Sequence, residues 1–175
     1  MHTLLAALCL AGCAASGAPH PAPPLQNVAP PAAAQTPARG SDADEVRLAV
    51  FRYLVGHNAS AAQAGVSFVC LEIRQGRQAR DPSPFIMAAM SGLAMRAVPG
   101  SACESSADGV FLKSDSAKAR GLVFRTEQVE IDGNKATVTG GYFEAGLSAS
   151  GNIYTLARQH DGSWLVTDDK MQWIS

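Results

Sequence analysis

The last third of the chain carries a pattern of apolar and polar positions that predicts four consecutive strands. These runs span residues 121–132, 135–146, 151–159 and 163–174. Two of the breaks between them, Asp132-Gly133-Asn134 and Asp161-Gly162, contain residues that tolerate the positive φ of tight hairpin turns. Gly140-Gly141 within the second run predicts a bulge or sharp bend. The sequence therefore predicts an antiparallel meander at its C-terminal end.

Two helices are predicted ahead of this meander. Ser41-Asp42-Ala43-Asp44 has the form of a capping box, and apolar residues then recur at helical spacing until about Gly56. This stripe comprises Val46, Ala49, Val50, Tyr53, Leu54 and His57. We expect His57 to interact with the last carbonyls of its own helix. Ser83-Pro84 is a cap followed by proline at the first helical position, and it predicts the start of a second, methionine-rich helix.

Residues 66–73 predict a further strand that has apolar side chains on both faces and is therefore covered on both. The elements together predict a single α+β domain over residues 41–175, in which an N-terminal helix packs on a curved antiparallel sheet that ends in the meander. This order of elements resembles the cystatin-like and nuclear-transport-factor-like folds. The resemblance implies a sheet that wraps a helix and leaves a conical cavity.

The first forty residues differ from this domain in composition. Residues 1–38 contain no Lys, Arg, Asp or Glu, and residues 14–40 are mostly Ala, Pro, Gln and Gly. The prolines remove backbone donors and the segment offers no periodic apolar face, so we predict a disordered tether over residues 13–40. A proline-rich recognition ligand is the alternative interpretation of this segment.

The extreme N-terminus predicts export. Residues 4–10 form an apolar run that is too short to span a bilayer and is typical of a secretory signal. Leu10-Ala11-Gly12-Cys13 resembles the lipobox of bacterial lipoproteins. The resemblance implies that residues 1–12 are a signal peptide, that Cys13 carries lipid, and that the protein is an outer-membrane lipoprotein facing the periplasm. A plain secretory signal cleaved near Ala14 or Ala15 is the alternative, and it would remove Cys13.

Two of the four cysteines, Cys70 and Cys103, lie in the predicted domain. In an exported protein they predict a structural disulfide, which would contribute roughly 3–4 kcal/mol of stability in the chain-entropy model. A catalytic or metal-binding thiol is the alternative, but the chain has no Cys-x-x-Cys pair to support it.

Candidate chemistry is sparse. The net charge is −1 over 175 residues and there is no basic stripe, which gives no reason to expect nucleic-acid binding. No zinc, phosphate-loop or dinucleotide motif is present, so the sequence predicts no metal site and no cofactor. The best polar candidates are Tyr142 and Glu144, which alternate along one predicted strand. If that face lines a cavity, Glu144 would be desolvated and suited to act as a base. We favour the interpretation that both residues lie on the outer face or rim, because the ends of strands are commonly polar and a fold alone does not give a function.

Taken together, these features predict a lipid-anchored, non-enzymatic envelope protein that binds a periplasmic partner or a small apolar ligand. We name no catalytic residue. Two alternatives stay open: an isomerase- or hydrolase-like enzyme that uses Glu144, and an immunity or inhibitor lipoprotein that blocks a secreted toxin.

Overall fold

The structure is a computed structural model that describes residues 40–57, 65–93, 95–116 and 119–175. Predictions about residues 1–39, including the signal, Cys13 and most of the tether, lie outside the described residues. Within the described ranges the chain forms two α-helices, α1 (Asp42–His57) and α2 (Pro84–Met90), and a single 3-10 turn. It also forms nine strands: β1 (Val66–Gln75), β2 (Gln78–Arg80), β3 (Arg96–Pro99), β4 (Cys103–Ser106), β5 (Gly109–Leu112), β6 (Arg120–Asp132), β7 (Lys135–Ala145), β8 (Ser148–Arg158) and β9 (Trp164–Ile174).

Both predicted helix starts are confirmed. The hydroxyl of Ser41 accepts a hydrogen bond from the Asp44 amide at 3.2 Å. The hydroxyl of Ser83 accepts one from the Ile86 amide at 3.5 Å, with Pro84 at the first helical position. Each cap satisfies an amide that has no partner within the helix.

Helix α1 buries more of its circumference than the predicted stripe. Val46, Val50 and Leu54 are buried as expected, but Leu48 and Phe51 are buried as well. The reason is that α1 contacts both the sheet, mainly at β6, and the second helix α2. A helix enclosed from two sides shows a wider apolar surface than one that lies on a sheet alone.

The predicted four-strand meander is confirmed, because β6, β7, β8 and β9 pair in sequence order and antiparallel. The sheet as a whole has the order β2-β1-β6-β7-β8-β9. In addition, β3 pairs with β1, and β5 pairs with both β4 and β6. It is mixed, whereas we predicted antiparallel pairing throughout, because β1 runs parallel to both β3 and β6. Parallel neighbours require a long connection, which the segment between β1 and β6 provides.

The double coverage predicted for β1 is also confirmed. Val69, Leu71 and Ile73 point toward α1 and belong to the main core. Phe68 and Cys70 point to the opposite face, where they form a smaller buried cluster with Val98, Val110 and Val123. Cys70 is bonded to Cys103, with 6.4 Å between the two Cα atoms, so the predicted disulfide is confirmed. It ties β1 to the start of β4 beside this second cluster.

Candidate functional site

The face of the sheet covered by α1 is mainly apolar, with Thr126 of β6 as a buried polar exception, and several polar side chains gather at one end of it. There the register of the last three strands places polar side chains side by side: Tyr142 of β7 lies opposite Ser150 of β8, and Tyr154 of β8 lies opposite Asp169 of β9. Asn152, between Ser150 and Tyr154 on the same face, lies opposite Met171. Directly opposed residues in an antiparallel pair have adjacent side chains. The polar residues therefore form one cluster near the C-terminal end of α1.

A chain of hydrogen bonds runs through this cluster from Ser150 through Asn152 to Asp169. The hydroxyl of Ser150 donates to the side-chain oxygen of Asn152 at 2.9 Å, and the Asn152 amide donates to Asp169 Oδ1 at 2.5 Å. Ser150 and Asn152 are both buried, while Asp169 is exposed. A buried amide oriented in this way places its donor on the carboxylate. Asp169 is therefore the acceptor at which the chain of hydrogen bonds ends.

Two tyrosines lie beside that carboxylate. Burial raises the pKa of Tyr154 above its usual value, and the charge of Asp169 raises it further. Burial also raises the pKa of Tyr53 on α1, and the charge of Asp169 again raises it further. The two rings meet edge to face at 5.9 Å between centroids. Both phenols thus stay protonated at neutral pH, and both are hydrogen-bond donors next to an anionic acceptor.

His57 completes this end of α1. Its ring stacks on that of Tyr53 at 4.1 Å between centroids, and its Nδ1 lies 2.9 Å from the Tyr53 carbonyl oxygen. The interaction predicted between His57 and the last carbonyls of its helix is therefore confirmed. The carbonyl contact and the stacking together hold the Tyr53–His57 pair in a defined position on α1.

Two cavities meet at the Tyr53–His57 pair. The first, here called the polar cavity, has a volume of about 210 Å³ and is lined by the Ser150–Asn152–Asp169 chain, Tyr142 and Tyr154, with Met171 and Ile174 at its edge. The second, here called the apolar groove, has a volume of about 530 Å³ and runs along α1 toward the β8–β9 turn. Its apolar lining comprises Leu48, Ala49, Phe85, Trp164, Leu165 and Val166. Both cavities are lined by Tyr53 and His57.

Three of the four large exposed apolar side chains of β9 line these two cavities, while the fourth, Trp173, lies elsewhere. Leu165 is 55% exposed and lines the apolar groove, while Met171 (55%) and Ile174 (64%) line the polar cavity. Burying such side chains against a ligand would remove apolar surface from water and so favour binding. Strand β9 is the end strand in the order of the sheet, so its side chains are accessible from outside.

The structure separates the two residues that the sequence singled out. Tyr142 is half-buried and lines the polar cavity. Glu144 does not line it: pairing between β7 and β8 passes from Phe143 to Ala145 across a register shift, and the Glu144 carboxylate accepts a hydrogen bond from the Ser148 hydroxyl at 2.9 Å. An extra residue in one strand interrupts the alternation on which their shared face was predicted.

Sequence reasoning missed Asn152, Asp169 and Tyr154 as site residues. Asn152 and Tyr154 lie within the third predicted strand and Asp169 within the fourth, and no feature of either strand singles them out. Their proximity depends on the cross-strand register, which is shifted at Gly151/Asn152 and Thr155/Leu156. A pattern of alternation within one strand carries no information about that register.

No protein-family model, curated protein or solved structure matches this chain. Within the described ranges, no three His, Cys, Asp or Glu side chains come together in a way that would hold a metal ion. None of the helices in the described part of the chain has the length and apolar character needed to cross a membrane.

Proposed function

We propose that the domain is a binding module for a small amphipathic molecule. The observation that carries this proposal is that two largely apolar cavities share Tyr53 and His57, and that the smaller one also contains the hydrogen-bonded Ser150–Asn152–Asp169 chain. Ligand pockets are typically apolar with a few placed polar groups, which is the arrangement here. The helix lying over the meander, with a cavity between them, also supports the finer proposal that the domain has a cystatin-like fold.

We place the apolar body of the ligand in the apolar groove and its polar end in the polar cavity. The apolar groove accommodates a hydrocarbon or aromatic body between α1 and the start of β9. The polar end enters the polar cavity, where Asp169 accepts hydrogen bonds and adds a negative charge. A cationic or hydroxyl end therefore fits, whereas an anionic end would be repelled by the carboxylate.

A series of octyl compounds tests this assignment. We expect octylamine to bind more tightly than octanol, and octanol more tightly than octanoate, because the end groups are a cation, a neutral donor and an anion. The measurement is fluorescence titration of Trp164, which lines the apolar groove, in a Trp173→Phe background that removes the other tryptophan. In Asp169→Asn, octylamine should bind at least about tenfold more weakly, since a hydrogen bond to a charged group is lost.

Asp168→Asn is the matched control. Asp168 precedes Asp169 in β9 and lies opposite Thr155, so alternation places it on the other face of the sheet. It should keep the affinity for octylamine and the order of the three compounds. Equal affinity for all three compounds, or equal effects of the two substitutions, would contradict the assignment of Asp169. Failure of every octyl compound to bind would refute the binding function.

We also propose that this module is anchored by lipid at Cys13 in the outer membrane and faces the periplasm, with residues 13–40 as its tether. The support is the lipobox-like sequence at Leu10-Ala11-Gly12-Cys13, together with the Cys70–Cys103 disulfide, which suits an oxidising compartment. Intact-mass analysis of the protein from washed membranes should find a chain that begins at Cys13, carries acyl groups and is two hydrogens lighter for the disulfide. An unlipidated chain in the soluble fraction would contradict this proposal.

A further inference from the structure

A second site is suggested by an arginine that the binding function does not use. Arg47 lies on α1, six residues before Tyr53, and only 7% of its surface is exposed. Its Nε is buried without a hydrogen-bond partner. Across the described part of the chain, the Arg47 guanidinium makes neither a hydrogen bond nor an ion pair. A buried guanidinium is normally paired, because burying an uncompensated charge is costly.

The surrounding charges leave Arg47 uncompensated. Burial lowers the pKa of Arg47 and the positive charge of Arg80 lowers it further, against a weaker opposing effect of Asp44. Two further acids nearby face other arginines. Glu72 forms an ion pair with Arg74 at 2.7 Å, and Glu72 and Glu127 both act on Arg125, whose pKa is lowered first by burial.

Arg47 lines a groove of about 520 Å³ at the edge of the helix-covered core, here called the arginine groove. Hydrogen-bonding side chains form much of its wall: Arg47, Arg74, Gln75, Glu127, Gln128 and Thr139. Two guanidinium groups, two amides and a hydroxyl supply donors, and Glu127 is the one acid among the lining residues that the structure describes. The groove is therefore rich in donors and contains one cation without a partner.

We propose that the arginine groove binds an oxyanion group, a phosphate or a carboxylate, with Arg47 as its principal ligand. A guanidinium presents parallel N–H donors that match two oxygens of such a group, and the contact is stronger than a neutral hydrogen bond. Glu127 repels anions from its own side and thereby directs the group toward Arg47. The groove exceeds the size of the oxyanion itself, so the amide of Gln75 is available to the remainder of a larger polar molecule, whereas the Gln128 amide already donates to Glu130 at 2.6 Å.

The test compares phosphate, acetate and chloride at matched ionic strength and pH 7, with thermal unfolding and isothermal titration as readouts. Phosphate or acetate should raise the melting temperature of the wild-type protein above its value in chloride, since a ligand that binds only the folded state stabilises it. A response to phosphate alone assigns a phosphate group and a response to acetate alone a carboxylate. In Arg47→Met the affinity for the responding anion should fall at least about tenfold.

The stability of Arg47→Met and two further variants, Arg47→Lys and Arg52→Met, distinguish binding from folding. Arg47→Met should be at least as stable as the wild type in chloride, because it removes a desolvated charge and keeps an apolar stem of similar length. Arg47→Lys keeps the positive charge but loses the parallel N–H donors of the guanidinium. It should therefore bind the anion more weakly than the wild type. Arg52→Met, on the exposed part of the same helix, should keep the full response.

Three outcomes would overturn the proposal. The first is a phosphate and acetate response no larger than that in chloride. The second is an equal anion response in the wild type and in Arg47→Met. The third is an equal loss of response in Arg47→Met and Arg52→Met, which would show general screening of surface charge in place of a site.

Discussion

Replacing Cys70 and Cys103 together by alanine is expected to lower the free energy of unfolding by about 3–4 kcal/mol. The bond joins residues 33 positions apart, and the loop that it closes contains α2, β2 and β3. Without it, the unfolded chain gains the conformational freedom of that loop. The loss is large compared with the total stability of about 5–15 kcal/mol that is usual for a domain.

Urea unfolding of the oxidised protein, the reduced protein and the double variant measures this effect. Reduction should shift the midpoint of the wild type toward that of the variant, and reductant should leave the variant unchanged. Cys70 is fully buried in the cluster with Phe68, Val98 and Val123, so alanine there also removes packing contacts and the variant should be slightly less stable than the reduced protein. Equal midpoints for all three samples would contradict the prediction.

Gly141→Ala is expected to lower the free energy of unfolding by about 3 kcal/mol or more. A Cβ at this position would overlap the carbonyl oxygen of Ser150, and it would lie 2.9 Å from the Ser150 carbonyl carbon and 3.1 Å from the Gly151 Cα. These are backbone atoms of the paired strand β8, so relief requires the two strands to separate. The φ of +156° adds strain, because residues with a Cβ rarely adopt it. Overpacking and backbone strain each contribute roughly 1–3 kcal/mol.

Gly56→Ala is the matched control for this substitution. Gly56 lies near the end of α1, and a Cβ there would meet no atom within 4 Å. It should be neutral or stabilising by up to about 1 kcal/mol, because alanine has the higher helix propensity. Chemical denaturation of the two variants beside the wild type makes the comparison. A Gly141→Ala protein as stable as the wild type would show that β7 and β8 can move apart at this position without loss of stability.

Local features of the sequence predicted much of the fold. The caps at Ser41 and Ser83, the turn at Asp132-Gly133-Asn134 and the four strands of the meander all depend on residues close to one another in the chain. The disulfide could be predicted because Cys70 and Cys103 are the two cysteines of the domain. In each case the chemistry of a few neighbouring residues, or a simple count, favours one local structure.

Tertiary structure alone decided the direction of β1 and the composition of the site. The apolar pattern of β1 is the same whether its neighbour is parallel or antiparallel, so only the packing of the whole chain brings β1 beside β6 in parallel. The contact of Asn152 with Asp169, and the separation of Tyr142 from Glu144, follow from shifts in strand register. One extra residue changes which side chains share a face, and no feature within a single strand specifies where the pairing partner makes that shift.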